Sequence, residues 1–349
     1  MKSKNNKSME TCRNLLRAGV VTVLSLVLIT PTTLTAKESQ EYILATASTG
    51  GTFYPVGVAL ATLTQVRLTP TTGIRLNAIN SAGSGENVYM LKRNEAQFAI
   101  MQSVFGHFAR TGTGALSAIE PQKDLRAISM LWRNVEHPVV RSKFVNTGTI
   151  SDFSKMEGRT VSLGRPNSGT IGSNTVMLNN LGYDLDEDFK NASLSYNATT
   201  DAFMNNQVDG AIFGGGIPIG SVTRLMASAG DGVSLLSYTD EQVAAADNGM
   251  NIWNRFVIPA GTYPGQDSDY NTIATPNLLV VRKDVSDEHV YQIVKTMYEN
   301  LPFLRSIHGA TSAMNLESAI TGLSVPLHAG ALRYYREAGL DIPAHLDVD

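Results

Sequence analysis

A recurring segment constrains this chain more than any other feature. "YILATASTGGTFYPVGVALATL" begins at Tyr42, and "TVSLGRPNSGTIGSNTVMLNNLG" begins at Thr160, about 120 residues later. Both read as a short apolar strand, a Gly/Ser/Thr turn and a helix with apolar residues at helical spacing. The units that follow match as well. "IRLNAINSAGSGENVYMLKRNEAQFAIMQ" and "ASLSYNATTDAFMNNQVDGAIFGGG" each read strand, polar turn, helix, strand. In both, a polar stretch (Asn94 to Gln97, Asn206 to Asp209) runs into a short strand containing Ala-Ile. Alternating strands and helices imply mostly parallel sheets. The expected fold class is α/β, with two domains facing each other.

"NLLVVRKDV", Asn277 to Val285, reads as a strand that rejoins the first sheet. The chain is expected to cross between domains near Trp132–His137 and to return near Asn251–Ile258. The first domain is then discontinuous, 37–135 plus 256–349, with 136–255 as the second. Val290, Ile293, Val294, Met297, Leu301 and Leu304 form one stripe of a C-terminal helix that Pro302 should kink or break. "HAGALRYYREAGL" is a further helix, closed by Gly339.

In open α/β sheets, ligands bind beyond the carboxyl ends of the strands. Here those ends are the turns Ala47–Tyr54, Asn80–Asn87, Arg165–Thr170 and Ala198–Asp201, with Met101–Ser103 and Phe213–Gly216. Helix N-termini from two domains converging on one cleft suit a carboxylate. Ser48, Thr49, Thr52, Ser84, Asn87, Gln102, Ser103, Ser168 and Thr170 are candidate hydrogen-bonding groups. Tyr54, Phe213 and Tyr263 are candidate walls, although each reads equally as a core residue. Arg133 and Arg165 are the best-placed arginines for clamping an anion. Arg165 reads equally as a solvated turn residue, and Arg133 as a partner of Glu136.

Other chemistries find no support. The six histidines are scattered without metal-ligand spacing, and there is no HExxH, Walker A or GxGxxG pattern. Ser84 lies between glycines but not in a nucleophile-elbow pattern. "FGGGIPIG" lacks the lysine of a nucleotide loop. Neither a metal nor another cofactor nor catalysis is expected, and a net charge of −3 with no basic patch argues against nucleic acid.

Residues 1–36 read as a secretory signal peptide: a basic start, an apolar core of about a dozen residues, then small residues ending near Ala36. That core is shorter than the roughly 20 residues that span a bilayer. Cleavage there would take five basic residues and one acidic residue, moving the formal charge from −3 to −7, and would remove the only cysteine, Cys12. A cysteine-free exported chain fits a bacterial periplasm.

"STGGTFYPVG", "SAGSGENVYML", "AIMQS", "PNSGT", "PAGTYPGQ" and "VPLHAGALRYYREAG", in that order and behind such a leader, resemble the TAXI family of extracytoplasmic solute receptors that serve TRAP transporters. The resemblance spans essentially the whole mature chain. It implies a periplasmic-binding-protein fold of the second type, with two α/β lobes closing on a solute, and no catalysis. It implies delivery of a small organic anion, such as glutamate or 2-oxoglutarate, to integral-membrane TRAP permease subunits. It places Ser48, Gly51, Thr52, Tyr54, Asn87, Gln102, Ser168 and Thr170 in the cleft. Arg165 stands where a small or apolar residue is expected, and Trp132 and Arg133 lie near the hinge; these departures bear on ligand choice. A receptor for a neutral amino acid or amide, or a ligand-binding input to a signalling protein, would share the fold.

Overall fold

Two strands carried through both halves of one sheet organise the fold. The structure, a computed structural model, describes residues 39–348; the expected leader lies outside them. The first half is built from β1 (Gln40–Ala45), α1 (Phe53–Arg67), the single turn α2 (Thr69–Thr72), β2 (Ile74–Ile79), α3 (Ser84–Lys92), β3 (Phe98–Gln102) and α4 (Ser103–Thr111). β4 (Leu125–Arg141) leads out of it. The second half repeats the pattern with β5 (Thr160–Ser162), α5 (Gly169–Asn180), the turn α6 (Leu185–Asp188), β6 (Lys190–Asn191), α7 (Tyr196–Met204), β7 (Gly210–Gly215), α8 (Gly220–Ala229) and β8 (Val233–Leu235). Then come α9 (Asp240–Asp247), β9 (Asn254–Ile258) and β10 (Tyr270–Arg282). The chain closes with α10 (Asp287–Glu299), α11 (Leu301–Ile307) and α12 (Ala329–Glu337).

Strand order is β2-β1-β3-β10-β4 in the first half and β6-β5-β7-β4-β8 in the second. In each half, three parallel strands are followed by one antiparallel strand arriving from the other half: β10 beside β3, and β4 beside β7. β4 changes partner at Val135, which pairs with Ala274 on one side and Gly215 on the other.

The return crossing is a correction. Residues 254–258 form β9, which pairs antiparallel with Tyr270–Ala274 of β10. Ile258 and Tyr263 pack in the same cluster as Phe213 and Ile219 of the second half. β10 itself makes the return, pairing β3 from Asn277 to Val281. The expected strand at Asn277 is the tail of this longer one. Both crossing strands are buried on both faces almost throughout, polar residues included, so no alternation marks where one half ends.

Local chemistry sets the helices. Thr239 and Gln242 form a capping box that starts α9. Val290, Ile293, Val294 and Met297 bury one face of α10. Pro302 sits in the first turn of α11, so the expected break occurs at Asn300. One large core joins β1, β3, α1 and α10, while two smaller cores cover the faces of the second half.

Candidate functional site

Four helix N-termini meet at one cavity between the two halves of the sheet. The lining includes Thr52 and Phe53 from α1, Gly83 and Ser84 from α3, Ser168 to Thr170 from α5, and Ser195 and Tyr196 from α7. Each helix opens directly after a strand and its turn, so its first backbone N–H groups face the strand ends. At α1, α3 and α7 no N-cap side chain covers them. At α5, Ser168 Oγ accepts from Ile171 N at 3.1 Å. Glu86 covers the α3 end in part, accepting from the Ala82 backbone N–H.

The remaining lining includes Ser48, Gly51, Gln102, Asn134, Arg165 and Gly214. Ser84 Oγ accepts from the Gln102 backbone N–H at 3.1 Å. The Gln102 Oε1 is buried without a partner. Tyr196 donates its hydroxyl to Gly214 O at 2.7 Å and lies 2.7 Å from Thr170 Oγ1. Burial pushes the Tyr196 phenol up, so it stays neutral. Arg165 is half-buried, and among the described residues its guanidinium makes no ion pair or hydrogen bond. Phe53 meets the Trp132 ring edge-on, with centroids 5.8 Å apart.

The cavity is tight because the halves touch on both sides of it. Thr52 Oγ1 donates to Gly216 O at 2.7 Å. Gly50 O accepts from Ser221 N and Ser221 Oγ at 3.2 and 3.0 Å. Across the cavity, Glu86 N donates to Asn167 O at 2.9 Å. That contact requires Gly85, where a Cβ would lie 2.6 Å from Asn167 O. The space open to the centres of water-sized atoms is about 40 Å³.

Of the residues singled out in the sequence, Ser48, Gly51, Thr52, Ser84, Gln102, Arg165, Ser168 and Thr170 meet at this cavity. Six do not line it. Asn87 is fully buried and saturated: its Nδ2 donates to Thr46 O and Ile100 O at 2.7 and 2.8 Å, and its Oδ1 accepts from Ser81. Ser103 Oγ donates to Gly322 O at 2.6 Å. The Tyr263 hydroxyl bridges His137 Nε2 and Ile219 N at 2.8 and 3.0 Å. Phe213 is buried behind Tyr196, its ring 5.1 Å away. Tyr54 lies half-buried on α1, and its neighbour Phe53 is the wall. Arg133 alternates away from Trp132 and Asn134 along β4. It does not pair with Glu136, whose carboxyl meets Asn134 alone.

Sequence reasoning missed Phe53, Asn134 and Tyr196 as lining residues. The turn expected at Ala198–Asp201 lies inside α7, which starts at Tyr196. "NASLSYN" held the usable signal: Ser195 is the N-cap, one residue before the helix.

A model of the NMT1-like family matches residues 44–339. The chain belongs to the NMT1-like family. Among solved structures, this NMT1-like chain resembles MatC from Rhodopseudomonas palustris with bound malate, at 13% identity and a TM-score of 0.50, over 85% of this chain and 98% of that one. It also matches the alkanesulfonate-binding protein SsuA from Xanthomonas axonopodis pv. citri bound to MOPS, at 13% identity and a TM-score of 0.44, over 85% and 90% of the chains. A third match is a binding protein component of an ABC phosphonate transporter from Pseudomonas aeruginosa, at 11% identity and a TM-score of 0.48, over 78% and 79%. The fold is the two-lobe α/β fold of periplasmic binding proteins. Among the described residues no helix is long and apolar enough to cross a membrane.

Proposed function

We propose that this NMT1-like protein is a periplasmic receptor that closes its two lobes around a small organic anion and delivers it to a membrane permease. One observation carries the reading. Four helix N-termini and an unpaired arginine surround one cavity. Each N-terminus presents unpaired N–H donors and about half a positive charge. The mature surface is acidic by composition, so attraction has to be local. The lining supplies no pair of groups arranged for nucleophilic or acid–base turnover, which favours a receptor over an enzyme.

Ligand binding would favour the closed form over the open one. The contacts on both sides of the cavity, Gly50 with Ser221 and Asn167 with Glu86, favour closure as part of binding. The lobes are taken as the two halves of the sheet, with β4 and β10 as hinge strands. Glutamate, 2-oxoglutarate and malate-sized acids are the candidate class. The ordered motifs of the TAXI resemblance favour a TRAP-type permease, and residues 1–36 favour export.

A thermal-shift panel from pyruvate through succinate, malate, 2-oxoglutarate and glutamate, with glutamine as the neutral control, tests this. An acid at about 100 times its dissociation constant adds roughly 2.7 kcal/mol, a shift of several degrees. A response to glutamine equal to that for glutamate defeats the anion reading and favours a neutral-ligand receptor. Arg165→Ala is expected to weaken the best acid at least tenfold, with no change in the unliganded melt, because the guanidinium supports nothing else. Calorimetry showing the parent affinity in that variant removes Arg165 from the site.

A further inference from the structure

Behind the cavity floor, the hinge strands bury a polar group that the ligand lining does not use. Glu136 on β4 is wholly inaccessible. Its Oε1 accepts from Asn134 Nδ2 at 3.1 Å, and its Oε2 has no partner. Asn134 itself lines the cavity, and its Oδ1 lies 3.4 Å from Asn277 Nδ2 on β10. Gly214 on β7 lies against the pair. A Cβ there would stand 2.7 Å from Asn134 Nδ2 and 3.0 Å from Glu136 Oε2. The pair therefore fits only beneath a glycine.

An ionised carboxylate in this position would hold its charge against a single amide donor, with no cation beside it. Its titratable neighbours are Tyr196 from α7 and Tyr238 after β8, both kept neutral by burial. His137, next on the strand, points the other way, bonded to Val135 O and Tyr263. β10 contributes Thr272, whose hydroxyl donates to the Glu136 backbone carbonyl. Arg165 is the one charged residue on the cavity lining.

We propose that Glu136 is the positioning residue that makes the cleft selective for anions, holding the Asn134 amide in the floor as an uncharged acid. With Oε1 taken by Asn134, the proton resides on Oε2, beneath Gly214. Losing it would put a negative charge one layer behind the bound anion in a poorly screened interior. Burial pushes the Glu136 carboxyl up to about 8, so the cleft is neutral-floored at pH 7 and becomes repulsive above 8. This rests on the anion reading.

The experiment is calorimetry with 2-oxoglutarate from pH 6.5 to 9.5, on the parent protein and on Glu136→Gln. The parent is expected to bind evenly to about pH 8 and then to lose about tenfold per unit. The glutamine, which keeps an oxygen for Asn134, is expected to bind within threefold of the parent at pH 7 and to stay flat. A flat parent profile, or a variant that declines as the parent does, overturns the proposal while leaving anion binding intact. A second readout needs no ligand and no variant: carboxyl titration of the 13C-glutamate-labelled parent. A carboxyl that titrates near pH 8 in the unliganded protein supports the uncharged acid. Titration of every glutamate near pH 4.5 overturns it, including in the case where 2-oxoglutarate fails to bind and the anion reading falls separately.

Discussion

Replacing Gly85 by valine is expected to cost at least a hundredfold in affinity for the best acid of the panel, while the unliganded protein stays as stable as the parent. The clash is with backbone, since the new Cβ would meet Asn167 O at 2.6 Å and Asn167 C at 3.1 Å. Neither atom can rotate away. The Glu86 N–H to Asn167 O bond would go with it. A hundredfold is about 2.7 kcal/mol, a modest demand for a steric block of this kind. In an open form the same position is merely the second residue of α3, where valine is no worse than glycine. Solution scattering gives the companion readout. The parent should contract on adding acid, and the variant should not. Parent-like affinity in the variant would show that closure across Asn167 is not needed for binding.

The second large effect is on stability against pH. Glu136 and His137 are adjacent, fully buried and shifted in opposite senses, the acid up to about 8 and the imidazole down to about 4, both by desolvation. The unfolded chain ionises Glu136 near 4.5, while the folded chain keeps the proton. The folded state therefore loses ground as pH rises from 4.5 to 8. The unfolded chain holds a proton on His137 up to about 6.5, and the folded chain does not. That contribution grows from pH 4 to 6.5. Between 4.5 and 6.5 the two slopes oppose each other, and from 6.5 to 8 Glu136 acts alone. Urea unfolding should show a loss of about 2 kcal/mol over that last interval, at roughly 1.4 kcal/mol per unit. Glu136→Gln should be flat there. An equal slope in the variant would assign the loss to some other group.

Much of this was legible in the sequence because each half announces itself through local chemistry. Apolar runs of strand length ended in Gly/Ser/Thr turns, and helical stripes followed. Those signals placed three of the four turns and the end of β3 at one cleft, and eight of its lining residues with them; the fourth turn, expected at Ala198–Asp201, falls inside α7. What escaped depended on contacts far apart along the chain. Asn87 looks like a ligand group at the start of a helix, yet Thr46 and Ile100 carbonyls claim both of its amide hydrogens. Tyr263 looks like a wall until His137 takes its hydroxyl from 126 positions away. Asn134 and Glu136 sit in a strand with no alternation, where neither face is wet, so nothing in the pattern says which way they point. The return crossing was misplaced because β10 runs unbroken through the point where it changes neighbours: Pro276, between its last pair with β9 at Ala274 and its first with β3 at Asn277, does not end the strand.

The routing of the chain has a practical consequence for anyone who wants to watch the molecule work. β1 enters the first half at Gln40, and the last turn, Ala344–Leu346, ends there too, with Leu346 O accepting from Leu327 N. The second half is thus an insertion spliced into the first by two strands. Labels at the two ends ride on one body and would report nothing of the swing. A label at one end and another at exposed Asp186 straddle the splice, and on the closure proposed above their separation would gauge occupancy, a layout for a reagentless sensor.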